Sequence, residues 1–254
     1  MENKLKFKIR SLKKTFGTNH VLKGIDLDVI KDSSLIILGG SGTGKSVLIK
    51  LMVGLLAPDE GSILYDGQES VNMSHSARKR MLEDCGYLFQ AGALFDSLSV
   101  QQNIVFFAEK LSPLTKGDKR DLAAKKLESV GLSSKILDLY PSELSGGMQK
   151  RVSLARTICV NPKVIFFDEP TTGLDPIMSN VINDLIIKIQ EELGATTISI
   201  THDMQSARRI GKEVAFLFGG QIVWSGKIED LDHANNEDLR QFITGDTSKV
   251  GFGV

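Results

Sequence analysis

Gly39, Gly40, Ser41, Gly42, Thr43, Gly44, Lys45 and Ser46 combine glycines, hydroxyls and one lysine at the spacing G-x-x-x-x-G-K-[ST]. Such a string suits the phosphates of a nucleotide. Its glycines permit a turn whose N–H groups converge on a β-phosphate, Lys45 supplies a point charge for the β and γ oxygens, and Ser46 offers a hydroxyl to Mg²⁺. Val47 completes the segment expected to touch nucleotide, with Ser46 alone in the metal-directed hydroxyl role. The flanks agree, because residues 35–38 read as an apolar strand and a helix is expected to begin near Lys45.

Two more constellations could work on the same chemistry. In Leu144-Ser145-Gly146-Gly147-Met148-Gln149, a hydroxyl residue and two glycines precede a helical run at 148–160. That pattern builds a second helix N-terminus able to hold a phosphate. Asp168 and Glu169 close the bulky apolar run 164–167, so two carboxylates emerge where ligands bind in open α/β sheets. Alone they would be charges meeting solvent at a strand end. Beside a phosphate loop, Asp168 suits Mg²⁺ through water and Glu169 suits orientation of an attacking water. His202 follows another apolar run, 196–201, and is placed to reach a γ-phosphate, whereas His20, His75 and His233 lie in polar stretches and are assigned no chemistry.

Strands are expected at 5–10, 25–30, 35–38, 62–65, 86–89, 164–167, 196–201, 214–218 and 221–224, the last two joined by a tight Gly219-Gly220 turn. Ile177, Val181, Ile182, Leu185, Ile186, Ile189 and Leu193 recur at helical spacing before Gly194, which reads as a core-facing helix and its stop. Strands alternating with helices predict an α/β fold with a mostly parallel sheet, and the antiparallel signals near the N-terminus add a β subdomain. From Gln90 to about Ala155 the chain turns helical and charged, which reads as an inserted helical lobe.

Of 254 residues 41% are hydrophobic, enough for one α/β core, and 31 basic residues balance 31 acidic ones, which argues against bulk nucleic-acid binding. The local basic cluster Lys4, Lys6, Lys8, Arg10, Lys13 and Lys14 reads as a solvated edge. Cys85 and Cys159 are too few and too far apart for a disulfide framework or metal cluster and read as buried free thiols. The longest apolar runs fall well short of the ~20 residues that cross a bilayer, and no signal-peptide core opens the chain. A membrane role is therefore expected only through partners.

Taken in order, Phe16, the loop at 39–46, Gln90 after a strand, Leu144 to Gln149, the run 164–169, Leu174-Asp175 and His202 resemble the landmarks of ABC-transporter ATPase subunits. The resemblance covers nearly the whole chain. It implies a P-loop NTPase core in one ABC ATPase domain over residues 1–245, with a helical subdomain at about 91–155 and a tail at 246–254. It implies ATP and Mg²⁺ as cofactors. Glu169, His202, Gln90 and Lys45 take the catalytic roles, and Ser46, Gln90 and Asp168 face the metal. Phe16 would stack on adenine, although the family commonly carries tyrosine there. Two phosphate-binding helix ends exceed the needs of one nucleotide unless one serves a neighbour. In the family two copies meet head to tail as a homodimer, so that Ser145, Gly146, Gly147 and Gln149 of one face the nucleotide of the other and Asp175 lies at the seam.

The stretches from Phe89 to Val100, Thr201 to Ile210 and Arg240 to Gly245 are similar to the ATPases of Mla/Mce lipid-transport systems. That likeness implies multispanning permease subunits docking beside Gln90 and the segment 91–107, an Mce-domain lipid carrier, a small STAS-type regulatory subunit, and a peripheral place at the cytoplasmic face of the bacterial inner membrane. Tyr140-Pro141-Ser142-Glu143 before the signature disfavours a fragment of a fused exporter. Two other readings stay open: the ATPase subunit of a small-molecule importer or exporter, and a soluble ABC ATPase acting on DNA or ribosomes. The second usually needs coiled-coil insertions or paired ATP domains, and this sequence shows neither.

Overall fold

The structure is a computed structural model that describes residues 5–245, so Lys4 and the expected tail at 246–254 lie outside the described residues. By contact the chain divides into two compact units, one formed by residues up to Ser74 with those from Ser199 onward, the other by His75–Ile198.

The first unit opens with β1 (Leu5–Phe16) and β2 (Asn19–Ile30), followed by β3 (Ser34–Leu38), α1 (Lys45–Met52), β4 (Glu60–Tyr65) and β5 (Gln68–Glu69). An antiparallel sheet of order β2-β1-β4-β5 buries Phe7, Ile9, Leu12 and Ile63 completely. Both leading strands outrun the expected 5–10 and 25–30. Their added halves each bury one leucine, Leu12 and Leu22, among polar and charged residues, and in β1 ion pairs reach across to β4 and the turn before it, Lys13 to Glu60 and Lys14 to Asp59 at 2.7 Å each. Lys6 departs from the solvated edge expected of it. It is 2% exposed, because Asp66 pairs with its ammonium at 2.7 Å and the Tyr65 ring lies 4.5 Å below.

The second unit holds α2 (His75–Glu83), β6 (Cys85–Leu88), α3 (Val100–Val105), α4 (Ala108–Leu111), α5 (Lys116–Ser129), α6 (Gly146–Thr157), β7 (Val164–Asp168) and α7 (Pro176–Leu193). The helical lobe expected at 91–155 lies inside this unit, which also contains the parallel pair β6 and β7. Capping boxes at Ser99 with Gln102 and at Thr115 with Asp118 start α3 and α5. Buried Asn103 ties the loop before it: its amide nitrogen donates to the carbonyls of Phe95, Leu98 and Ser99, and its oxygen accepts from Phe95 N–H. On α7 the expected stripe is only partly core. Ile182, Ile186 and Ile189 are buried, but Ile177 is 79% and Val181 36% exposed, because they lie on the adjacent stripe of the helix.

Fully buried β8 (Thr196–Thr201) returns the chain to the first unit, where α8 (Met204–Ile210), β9 (Glu213–Phe218), β10 (Gln221–Lys227) and α9 (Glu237–Thr244) follow. Strand β9 runs parallel to β3 and antiparallel to β10, and the hairpin turns at Gly219 and Gly220 with φ of 57° and 85°. Cys159 is buried and Cys85 only partly so. Among the described residues no helix is long and apolar enough to cross a membrane.

Register between β1 and β4 breaks at Ser11, a bulge at φ 47° whose N–H is taken by Asp26. Opposite lies Gly61 at φ 93°, where a Cβ would sit 2.6 Å from the carbonyl oxygens of both Arg10 and Ser11. Backbone cannot yield there as a side chain could. Gly61→Ala is expected to cost at least ~2 kcal/mol, read as a lowered thermal midpoint; an unchanged midpoint would show that the bulge does not fix this sheet.

Candidate functional site

In the first unit, wholly buried β3 delivers the chain into Gly39, and the glycines that follow are shaped by what surrounds them. A Cβ at Gly39 would come within 2.5 Å of Leu217 O and 2.9 Å of Thr43 Oγ1, and one at Gly44, φ 104°, within 2.9 Å of Leu22. Only glycine fits at these two positions. Thr43 Oγ1 donates to Gly40 O at 3.0 Å and closes the turn. Gly44 then begins α1 without a side-chain cap or an acidic residue in the first turn, so the positive end of the helix is available to an anion. Lys45, 5% exposed, donates to the carbonyls of Gly39 at 2.8 Å and Gly40 at 2.7 Å, which folds its ammonium back over the loop.

Ser41 and Gly42 are exposed, and Ser46 and Val47 half-buried. The glycine cradle, the lysine and the hydroxyl form a donor set that fits a nucleotide phosphate with its divalent cation. Exposed His202 follows β8, just ahead of Asp203, which caps α8 through Gln205 and Ser206. Phe16 ends β1 at 46% exposure, with the Lys14 ammonium 5.5 Å from its ring centre. An open aromatic face of this kind can receive a base.

In the second unit, β7 ends at Asp168 and the chain turns sharply, with Glu169 at φ 46°. Asp168 accepts from the Tyr87 hydroxyl at 3.1 Å. Burial, with Asp168 adding to it, pushes the Tyr87 phenol well above its usual range and keeps it a donor. Glu169 Oε2 accepts from Thr172 Oγ1 at 2.9 Å and Gln90 Nε2 at 3.3 Å, so the carboxylate is oriented from two sides. Lys150, reaching from α6 at 6% exposure, donates to Gln90 O. Desolvation lowers its ammonium pKa, and nearby Asp168 and Glu169 oppose that shift. The structure thus gathers Gln90, Asp168 and Glu169, and adds Tyr87, Lys150 and Thr172, which sequence reasoning missed.

Ser145 caps α6 by accepting from Met148 N–H, and α6, like α1, has no acid in its first turn. Ser145 and Gly146 are exposed, with open space around Gly146, whereas a Cβ on Gly147 would crowd Met178 at 3.0 Å. Gln149 donates to the carbonyls of Pro141 at 2.8 Å and Leu144 at 3.3 Å and so braces the signature turn. Asp175 caps α7 through Met178 N–H at 2.9 Å.

A family model described as "ABC transporter" matches residues 22–172. The chain is similar to the intermembrane phospholipid transport system ATP-binding protein MlaF of Haemophilus influenzae, 38% identical over 91% of this chain and 87% of that protein. It is also similar to the L-cystine import ATP-binding protein TcyN of Bacillus subtilis, 36% identical over 92% of this chain and 91% of that one. Its structure resembles the dimeric post-hydrolysis state of the ATP-binding cassette MJ0796 bound to ADP and Pi, with a TM-score of 0.79 and 28% identity over 87% of this chain and 98% of that one.

Lys45→Ala is expected to weaken nucleotide binding at least ~tenfold, since a charge-assisted contact to phosphate is lost. Titration with a fluorescent ATP analogue measures it, and undiminished affinity would remove the loop from the phosphate-binding role.

Proposed function

The chain belongs to the ABC transporter family and is an ATP hydrolase, and from that membership we propose that it drives phospholipid transport between bacterial envelope membranes. The observation that carries the chemical part is the double orientation of Glu169 by Thr172 and Gln90 beside Asp168. The identity with MlaF over nine-tenths of the chain supports the cargo.

In this reading the loop N–H groups and Lys45 hold the β- and γ-phosphates, Phe16 stacks on adenine, and Ser46, Gln90 and Asp168 would hold Mg²⁺, which when bound would supply neutralising positive charge to the phosphates. Glu169 orients a water for in-line attack on the γ-phosphorus and receives its proton as the bond to the β–γ bridging oxygen breaks, leaving ADP and phosphate. His202 steadies the γ-phosphate.

Two copies pair head to tail, so the α6 start of one, with Ser145, Gly146 and Gly147, meets the γ-phosphate held by the other, and Asp175 lies at the seam. Contacts to the γ-phosphate then exist only in the closed pair, and hydrolysis releases them.

The partners of this reading are multispanning permease subunits at the cytoplasmic face of the inner membrane, with an Mce-domain carrier and a STAS-type regulator. A groove of about 300 Å³ between α2 and α4 supports the permease contact. Its floor is apolar, from Leu82, Phe107 and Leu111, and Arg78, Lys79 and Lys110 outnumber Glu83 on its rim, which suits an amphipathic cytoplasmic helix with acidic flanks. Similarity to the cystine-import protein at nearly equal identity favours a second reading, a small-molecule importer. Purification with the native membrane complex separates the two: bound phospholipid with the permease is expected, and a permease carrying a small solute and no lipid would overturn the lipid assignment.

Glu169→Gln is expected to bind ATP yet turn it over at least ~10²-fold more slowly and to accumulate as an ATP-bound dimer on size exclusion. Near-normal turnover would take Glu169 out of the catalytic role.

A further inference from the structure

Burying an ammonium is costly unless the fold compensates it, and Lys150 is buried to 6% exposure in the middle of a helix. Its partners are unusual for a structural lysine. It donates to the backbone oxygen of Gln90, whose side chain in turn donates to Glu169, and the charges of Asp168 and Glu169 lie close enough to act on it. The same helix grips the next residues of that segment. Arg156 donates to Gly92 O at 2.7 Å and Ala93 O at 2.8 Å and lies over the Phe95 ring, and a Cβ at Gly92 would press within 2.6 Å of Ser153 Oγ. Residues 90–93 therefore rest on α6 along its length, held by two cations whose hydrogen bonds go to backbone carbonyl oxygens.

The other end of α6 begins at Ser145, the exposed turn proposed above to meet the γ-phosphate of a second copy. Lys150 lies five residues further, roughly 7.5 Å along a rigid helix axis. We propose that Lys150 is a positioning residue that sets Gln90 and Glu169 of its own site by reference to the helix presenting Ser145 to the partner's nucleotide, and so couples the two sites of the dimer. This rests on the head-to-tail reading. When a γ-phosphate draws the α6 start into place, Lys150 and Arg156 carry residues 90–93 with it, and the Gln90 amide is brought to its working position against Glu169. A neutral side chain at position 150 would fill the same space but leave Gln90 O without its charged donor, so the segment could lag behind the helix.

Lys150→Met and Lys150→Arg test this, each alone and in the Glu169→Gln background. Four quantities are read: kcat, KM, affinity of the isolated subunit for a fluorescent ATP analogue, and the ATP concentration needed for dimerisation. Lys150→Met is expected to lower kcat roughly tenfold and raise the dimerisation midpoint by a similar factor, with subunit affinity changed less than about twofold, and Lys150→Arg is expected to recover most of both. If Lys150→Met does not fold, Lys150→Gln takes its place in the same comparison. Wild-type kcat and dimerisation in the neutral variant would overturn the proposal, as would equal impairment of the Met and Arg variants with a matching fall in thermal midpoint, the signature of packing alone. A Glu169→Gln protein that stays monomeric with ATP would end the dimer reading and the coupling with it, whereas kcat loss with Arg rescue would still establish the Lys150 contact within one subunit.

Discussion

Backbone N–H groups at two glycine-bounded helix starts are what this chain offers an anion, and the rest of its architecture keeps them open. With 31 basic and 31 acidic residues there is no net field to draw a polyanion in, so attraction has to be local. Helices α1 and α6 supply it. Each starts beside glycines and has no acid in its first turn, whereas α5 sets Asp118 on the N–H of its own cap residue and α9 carries Glu237 and Asp238 in its first turn. An acid in the first turn steadies a helix at the cost of its attraction for a phosphate. The chain leaves that stabilisation out at α1 and α6, and stiffens those two starts from behind instead, with buried β3 and the Leu217 carbonyl at one and the Gln149 bonds to Pro141 and Leu144 at the other.

The carboxylate cluster meets the opposite problem. Asp168 and Glu169 are adjacent, mutually repulsive and partly withdrawn from water, and a non-glycine residue at φ 46° carries backbone strain of about 1–3 kcal/mol. Donors from three directions make the arrangement tenable: the Tyr87 phenol on Asp168, and Thr172 and Gln90 on Glu169. The ammonium of Lys150 adds the positive charge that two carboxylates require in a medium less polar than water. Strain and repulsion held this way are released only if the donors move, which makes the position of Gln90 a control on Glu169.

The parts legible in the sequence are those whose chemistry and geometry are both local. The phosphate loop declares itself because strand, glycines and helix follow within a few residues, and Asp168-Glu169 because an apolar strand ends there. Thr172 is only three residues from Glu169 and was within reach of the same reasoning, as a hydroxyl placed to bond back across a turn. Tyr87 and Lys150 were not. Their partners lie 81 and 60 residues away, and nothing in a tyrosine on a strand or a lysine on a helix says which carboxylate or carbonyl the fold will bring to it. Lys6 and α7 misled for related reasons: a lysine near the N-terminus reads as solvated until Asp66 and Tyr65 are seen to enclose it, and seven apolar positions at helical spacing do not say which of two adjacent stripes the core takes. The added halves of β1 and β2 do not read as alternation because each carries one buried leucine, Leu12 or Leu22, among polar and charged residues, with Lys13 and Lys14 of β1 paired to Glu60 and Asp59.

Within the second unit the contacts run without interruption from the carboxylates to the groove between α2 and α4. Lys150 holds Gln90, Arg156 holds Gly92 and Ala93 and stacks on Phe95, and Phe95 is bonded at both its N–H and its carbonyl to Asn103 of α3 and packs against Phe106 at 4.7 Å between ring centres. Phe107, the next residue, lines the groove. Each link is a hydrogen bond from a buried or half-buried donor or a packed ring pair, so none can lengthen by much without leaving a polar group unpaired or a cavity behind. Such a chain transmits displacement rather than absorbing it. A shift of a fraction of an ångström at Gln90 therefore has a stiff route to the surface proposed to hold the permease. The chemistry proposed for Glu169 would be the same for any cargo, and that groove, not the carboxylates, is where the identity of what is moved would be expressed.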